Sequence, residues 1–184
     1  MWRLTKNSGL KPRSGLKPRS PWANAAAIAA TLGAWALGGG VRSGAADAQP
    51  GDAASLGASV FADHCAVCHG PQAAGIPGSF PSLHEQVVAF AKTPEGRDYL
   101  VMVVTSGLMG TLKVGTANYN GVMPAQSGLS EAEVAAVLNY LASGMGKSAS
   151  GAAALSAADV SEARARHADS SAQATRALRP AADL

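Results

Sequence analysis

The chain has 184 residues, of which 47% are apolar and 15% charged, enough for one domain with a modest core plus extensions. Its two cysteines lie three positions apart, which excludes a disulfide framework. The formal charge of +3 and isoelectric point near 9.1 suggest a basic protein, but the excess base lies in the first 48 residues. From Gln49 onward eight basic residues face eleven acidic ones, a balance of −3, so a nucleic-acid partner has no support.

Residues 1–22 carry Arg3, Lys6, Lys11, Arg13, Lys17 and Arg19 with no acid, partly through the tandem Ser-Gly-Leu-Lys-Pro-Arg at 8–13 and 14–19. An Ala- and Gly-rich stretch follows over 23–41, and Ala46-Asp47-Ala48 puts small residues where a signal peptidase reads them. The pattern predicts a signal peptide over 1–48 and a mature chain that starts at Gln49. The competing reading is an uncleaved anchor, since the 19 residues of 23–41 can just span a bilayer, although their weak hydrophobicity argues against it. There is no twin-arginine pair, which fits export of an unfolded chain.

Pro50-Gly51-Asp52 predicts a helix start with Asp52 as N-cap, the helix running through Phe61. Gly57 and Phe61, four residues apart, share a face and leave a notch beside an aromatic ring where another helix can pack closely. The plainer alternative is an ordinary amphipathic helix with a tolerated glycine.

Cys65-Ala66-Val67-Cys68-His69 is the attachment signature of a c-type haem. In a helical turn both thiols face one way, each able to add to one vinyl group, and His69 follows to bind the iron. Two other readings compete. A redox dithiol expects a strand before the motif, whereas 57–64 reads as helix. A zinc site is short of ligands, because the four histidines have no paired spacing.

Residues 70–83 are too rich in Gly and Pro for a helix or a central strand. A haem-ligating histidine needs an acceptor for its other ring nitrogen, and the backbone carbonyl of Pro81 is the candidate, with Pro77 in reserve. Thr93-Pro94-Glu95 predicts a helix entry, and Leu100, Val103 and Val104 give that helix an apolar face that ends at Gly107. Residues 111–114 and 117–119 around Gly115 read as a small hairpin. Within the polar loop Asn118 to Ala125, Met123 stands before Pro124 and is placed to bring a thioether over the distal face of the haem. Met109 is the rival ligand, while Met102 and Met145 read as core filler.

The histidines are poorer distal candidates. His64 is tied to the side of the attachment motif, His84 follows Leu83 on the proximal stretch, and His167 belongs to the tail. Ser130-Glu131-Ala132-Glu133 is a capping box, followed by a stripe of Val134, Val137, Leu138 and Leu141. Tyr140, beside that stripe, meets the Gly57 and Phe61 notch if the first and last helices cross. From Lys147 the chain is Ala-rich and has too few large apolar residues for a core of its own. Helices are expected after Ser156 and before Pro180, and the extension over 147–184 either docks or stays mobile.

These residues resemble a class I c-type cytochrome of the bacterial periplasm over about residues 52–146. The resemblance is carried by the haem motif with Pro81 and Leu83, by Asn120-Gly121-Val122-Met123-Pro124, and by the Leu129-Ser130 helix start. It implies an all-α fold with terminal helices crossing at Gly57, Phe61 and Tyr140 around one covalent haem c. Cys65 and Cys68 would hold the haem, His69 and Met123 would bind its iron, and Pro81 would accept from His69. Two departures stand out: Gln126 occupies a position that is often aromatic, and the chain from Gln49 has no Trp.

The implied domains are a signal peptide at 1–48, a monohaem domain at 49–146 and an extension at 147–184. The implied function is one-electron transfer in the periplasm, without enzymatic activity, between redox proteins such as a donor dehydrogenase and an acceptor oxidase or reductase. Membrane association follows only if the leader is retained. The same pattern fits the electron-accepting subunit of a periplasmic dehydrogenase. A haem enzyme or gas sensor would instead need a displaceable sixth position.

Overall fold

The computed structural model describes residues 50–147 and 151–181. The signal peptide expected over 1–48 lies outside the described residues. Helix α1 covers Pro50–Val60 and passes without a break into a π turn, Phe61–Cys65, and a last short turn, α2, Ala66–His69. In the π turn the Ala66 N–H reaches back five residues to the Phe61 carbonyl. One extra residue is thereby inserted just before the two cysteines, a device common at functional sites. Asp52 is not the N-cap: the helix already includes Pro50 and Gly51, and Asp52 sits in the first turn, where its charge complements the helix dipole.

The first and last helices of the cytochrome-like region cross as the glycine notch requires. Helix α5, Glu131–Ala142, starts at the expected capping box, with the Ser130 Oγ accepting from the Glu133 N–H and the Glu133 carboxylate accepting from the Ser130 N–H. A Cβ on Gly57 would lie 2.7 Å from the Tyr140 Cβ and closer still to the Ala136 carbonyl, so no larger residue allows this approach. The Phe61 and Tyr140 rings meet at 6.1 Å. Val101, Val134 and Val137 are essentially inaccessible beneath the crossing. Burying each of them contributes about 1.5–3 kcal/mol.

Between these helices lie α3, Glu85–Phe90, and α4, Pro94–Ser106. The Thr93 hydroxyl caps α4 by accepting from the Gly96 N–H, and Gly107 ends it with φ +79°. Both limits match the expected ones, and Met102 is buried core as anticipated. The six-residue α3 is too short for an apolar period to reveal it in the sequence.

The hairpin is longer than expected. Strand β1, Leu108–Val114, pairs antiparallel with β2, Ala117–Met123, so that Leu108 lies opposite Met123 and Val114 opposite Ala117. Met123 is therefore the last residue of a strand, not part of a free loop. Every residue of the Asn118 to Met123 stretch is in register with a residue of β1, and Pro124, which has no N–H, stops the ladder. The fold is mainly helical with this one small sheet among the described residues.

The C-terminal segment docks. Helix α6, Ala157–Arg166, is capped by Ser156 with Asp159 as partner and buries Val160 and Ala163 against the domain. The Asn139 side chain on α5 makes two 2.8 Å bonds to the backbone of Leu155, donating to its carbonyl and accepting from its N–H. The Arg166 guanidinium grips Asp98 of α4 through two bonds of 3.0 and 2.7 Å. Helix α7, Ala172–Ala177, then packs against α4 and β1 with Thr175 fully buried. Small residues suffice because the tail fills a surface that the domain supplies.

Candidate haem site

Cys65 ends the π turn, and Cys68 and His69 lie on the turn that follows, so the three share one helical face. Both thiols are half-buried and free. Burial, and secondly the neighbouring Cys68, push the Cys65 thiol above its usual range and keep it neutral. His69 is buried, and its Nδ1–H donates to the Pro81 carbonyl at 2.9 Å. A carbonyl can only accept, so this bond selects the tautomer and leaves the Nε2 lone pair free. Burial lowers the His69 pKa, with the Pro81 bond opposing, which favours the neutral ring. The reserve acceptor, Pro77, lies in the exposed turn of the loop and makes no such bond.

The loop holds the Pro81 carbonyl by close backbone packing. Gly75, at φ +72°, would put a Cβ 2.6 Å from the Pro81 carbonyl carbon and 2.7 Å from its oxygen. Its N–H donates to the His69 carbonyl at 2.8 Å, and the Leu83 N–H donates to the Ala73 carbonyl at 2.9 Å. The Phe80 ring meets the His69 ring at 6.3 Å in an edge-on arrangement.

Cys68, His69, Pro81 and Met123 all border one open cleft, while Cys65, one turn before His69 on the same helical face, is not among its lining residues. Its inner wall, which includes Val87, Phe90, Tyr99, Leu112 and Tyr119, carries no motif in the sequence. An available signal was the alternation along the hairpin. Leu108, Gly110 and Leu112 of β1, and Tyr119, Gly121 and Met123 of β2, line the cleft at every second position, and the largely exposed Val122 touches its edge as well. Met109 falls on the opposite parity and is 41% exposed on the outer face.

The distal rim is held by Gly107. A Cβ there would meet the Met123 carbonyl oxygen at 2.6 Å and the Ala125 nitrogen at 2.9 Å. The Gln126 N–H donates to the Val104 carbonyl at 2.8 Å, and its side-chain amide donates to the Pro124 carbonyl at 3.1 Å, so Gln126 braces the turn by hydrogen bonds. The cleft walls carry no Lys, Arg, Asp or Glu. An apolar slot lined by one thiol, a neutral imidazole and a thioether, with a second thiol one helical turn away, fits a covalently held haem. Of the remaining histidines, His64 and His84 are exposed and His167 contacts Asp98, all outside the cleft.

Among the described residues no helix is long and apolar enough to cross a membrane. The family model for cytochrome c matches residues 54–144. Two relatives, both named cytochrome c-552 and both from Thermus thermophilus, are 42% identical to this chain over 90 residues. The match covers 49% of this chain, and 68% of one relative and 60% of the other. A cytochrome c domain implies covalent haem c, and Cys65 and Cys68 fit the Cys-x-x-Cys-His motif that carries it. The chain belongs to the class I c-type cytochromes and is a haem c electron carrier.

Proposed function

We propose that the protein is a periplasmic one-electron carrier with a single haem c ligated by His69 and Met123. The mature domain would run over 49–146, after removal of residues 1–48, with 147–184 as its extension. The observation that carries the ligand assignment is the parity of the hairpin, which turns Met123 into the cleft that His69 borders and turns Met109 out of it.

When bound, the haem supplies an iron centre that cycles between ferrous and ferric states. Cys65 and Cys68 hold it through thioethers. The Pro81 carbonyl orients the His69 ring and makes it a stronger base. The Met123 sulfur, a soft donor, favours the reduced state, and Gly107, Pro124 and Gln126 hold its backbone at the rim. The apolar inner wall keeps water from the cofactor. With His69 and Met123 both holding the group, the site would offer no position for a substrate, and the group would supply electron transfer. Its partners are redox proteins, such as a donor dehydrogenase and an acceptor oxidase or reductase.

The test is the absorption spectrum of purified ferric holoprotein, including the weak near-infrared band of sulfur ligation, for the wild type and Met123→Ala. The variant is expected to lose the band and to bind carbon monoxide when reduced. An unchanged spectrum with no carbon monoxide binding would overturn the assignment and move it to Met109. Mass spectrometry of the exported protein is expected to find Gln49 as first residue.

A further inference from the structure

A haem carries two propionates, yet the cleft walls bear no cationic side chain apart from what His69 can become. The nearest half-buried cation behind that wall comes from the C-terminal segment. The Arg179 guanidinium lies 5.6 Å from the centroid of the Phe90 ring, and Phe90 lines the cleft. It donates to the Gln86 side-chain oxygen at 3.0 Å and to the Lys113 carbonyl at 2.9 Å. Gln86 lines both the haem cleft and an adjoining hollow where Arg179 and Arg176 meet β1. The Arg179 charge also reaches Tyr99 on the cleft wall, where it opposes the rise that burial imposes on the phenol.

Two features of Arg179 are unexplained by docking of the tail. Its Nε is buried and has no hydrogen-bond partner, the one such side-chain atom among the described residues. Among the described residues no carboxylate pairs with it or with Arg176 beside it, whereas Arg164 and Arg166 of the same segment both have acidic partners. A buried donor on an unpaired charge is costly unless something completes it. A carboxylate is the group that a guanidinium fork fits best.

We propose that Arg179 is the counter-ion of a haem propionate, which makes the C-terminal segment a part of the haem site. The inference rests on the haem c assignment and is independent of which residue is the distal ligand. A cation at the propionate edge disfavours the more positive ferric state, so its removal lowers the reduction potential. The Arg166 contact to Asp98 then serves to carry Arg179 to that edge.

The experiment compares wild-type holoprotein with Arg179→Gln, Arg179→Lys and Arg164→Gln, using the midpoint potential, the resonance Raman propionate-bending band and the near-infrared band. Arg179→Gln is expected to shift the ferrous-to-ferric ratio at fixed applied potential toward ferric by at least threefold, about 28 mV. Arg164→Gln removes the same charge from the tail and should leave the potential in place. Arg179→Lys keeps the charge without the fork and should move the Raman band while retaining most of the potential. An intact near-infrared band in all variants separates this outcome from a change of axial ligand. If Arg179→Gln does not mature, Arg179→Lys still decides through the Raman band. An unmoved Raman band in every variant that matures, or equal potential shifts for Arg179→Gln and Arg164→Gln, would overturn the proposal.

Discussion

The two walls of the haem cleft are built in opposite ways. The proximal wall is local in sequence: His69 and its acceptor Pro81 are twelve residues apart, and the loop between them is closed by its own backbone bonds. The distal wall is assembled from distant pieces, with Met123 held by pairing to Leu108, by Gly107 and by Gln126 bonding to Val104. Each wall nevertheless relies on one glycine at positive φ whose missing Cβ lets it touch the backbone that carries the functional group. Loop-closure entropy is small for the first wall and larger for the second, so the distal wall is expected to open first.

Substituting these glycines one at a time breaks the comparison most directly. Gly75→Ala meets unyielding backbone at Phe80 and Pro81 and has an unfavourable φ, so a loss of about 3 kcal/mol in holoprotein stability is expected in urea titration. Its spectroscopic effect should fall on the His69 side, because the Pro81 carbonyl must move. Gly107→Ala meets slightly longer contacts and should cost about 2 kcal/mol. Here the near-infrared sulfur band should weaken while the covalent haem and His69 ligation persist. Equal loss of the band in both variants would show that the walls behave as one unit.

Smaller changes sharpen the picture. Gln126→Ala removes one bond to Pro124 and should lower stability by about 0.5–1 kcal/mol, with faster opening of the distal side seen as faster binding of an added ligand such as imidazole. The smallest effect concerns the tail that backs the hairpin. Hydrogen bonding to Arg166, with further help from its charge and from His167, holds the Asp98 carboxyl below its usual range despite partial burial. A depressed carboxylate stabilises the folded state above its unfolded pKa, and that contribution disappears as pH falls through the lower, folded value. Tail docking should therefore weaken on acidification below the ordinary carboxylate range. The pair is largely solvent-exposed on the Arg166 side, so the loss should be under about 1 kcal/mol. Hydrogen exchange of α6 as a function of pH, flattened in Asp98→Asn, checks this.

The sequence by itself determined most of what depends on short spacing, although Asp52 proved to lie in the first turn of α1 and not at its cap. The haem motif, the Pro81 acceptor, the Thr93 and Ser130 caps and the Gly57 notch rest on residue types whose local geometry leaves few choices. It did not reveal the π turn at Phe61–Cys65, the short α3 or the full length of the hairpin. A π turn has no residue signature, α3 is below the length at which periodicity reads, and strand extension depends on a partner that the local sequence does not name. Only the tertiary structure decided the place of the C-terminal segment. Its residues are too small and too polar to announce a core, and Val160, Ala163, Thr175 and Arg179 acquire their roles from the surface against which they are buried.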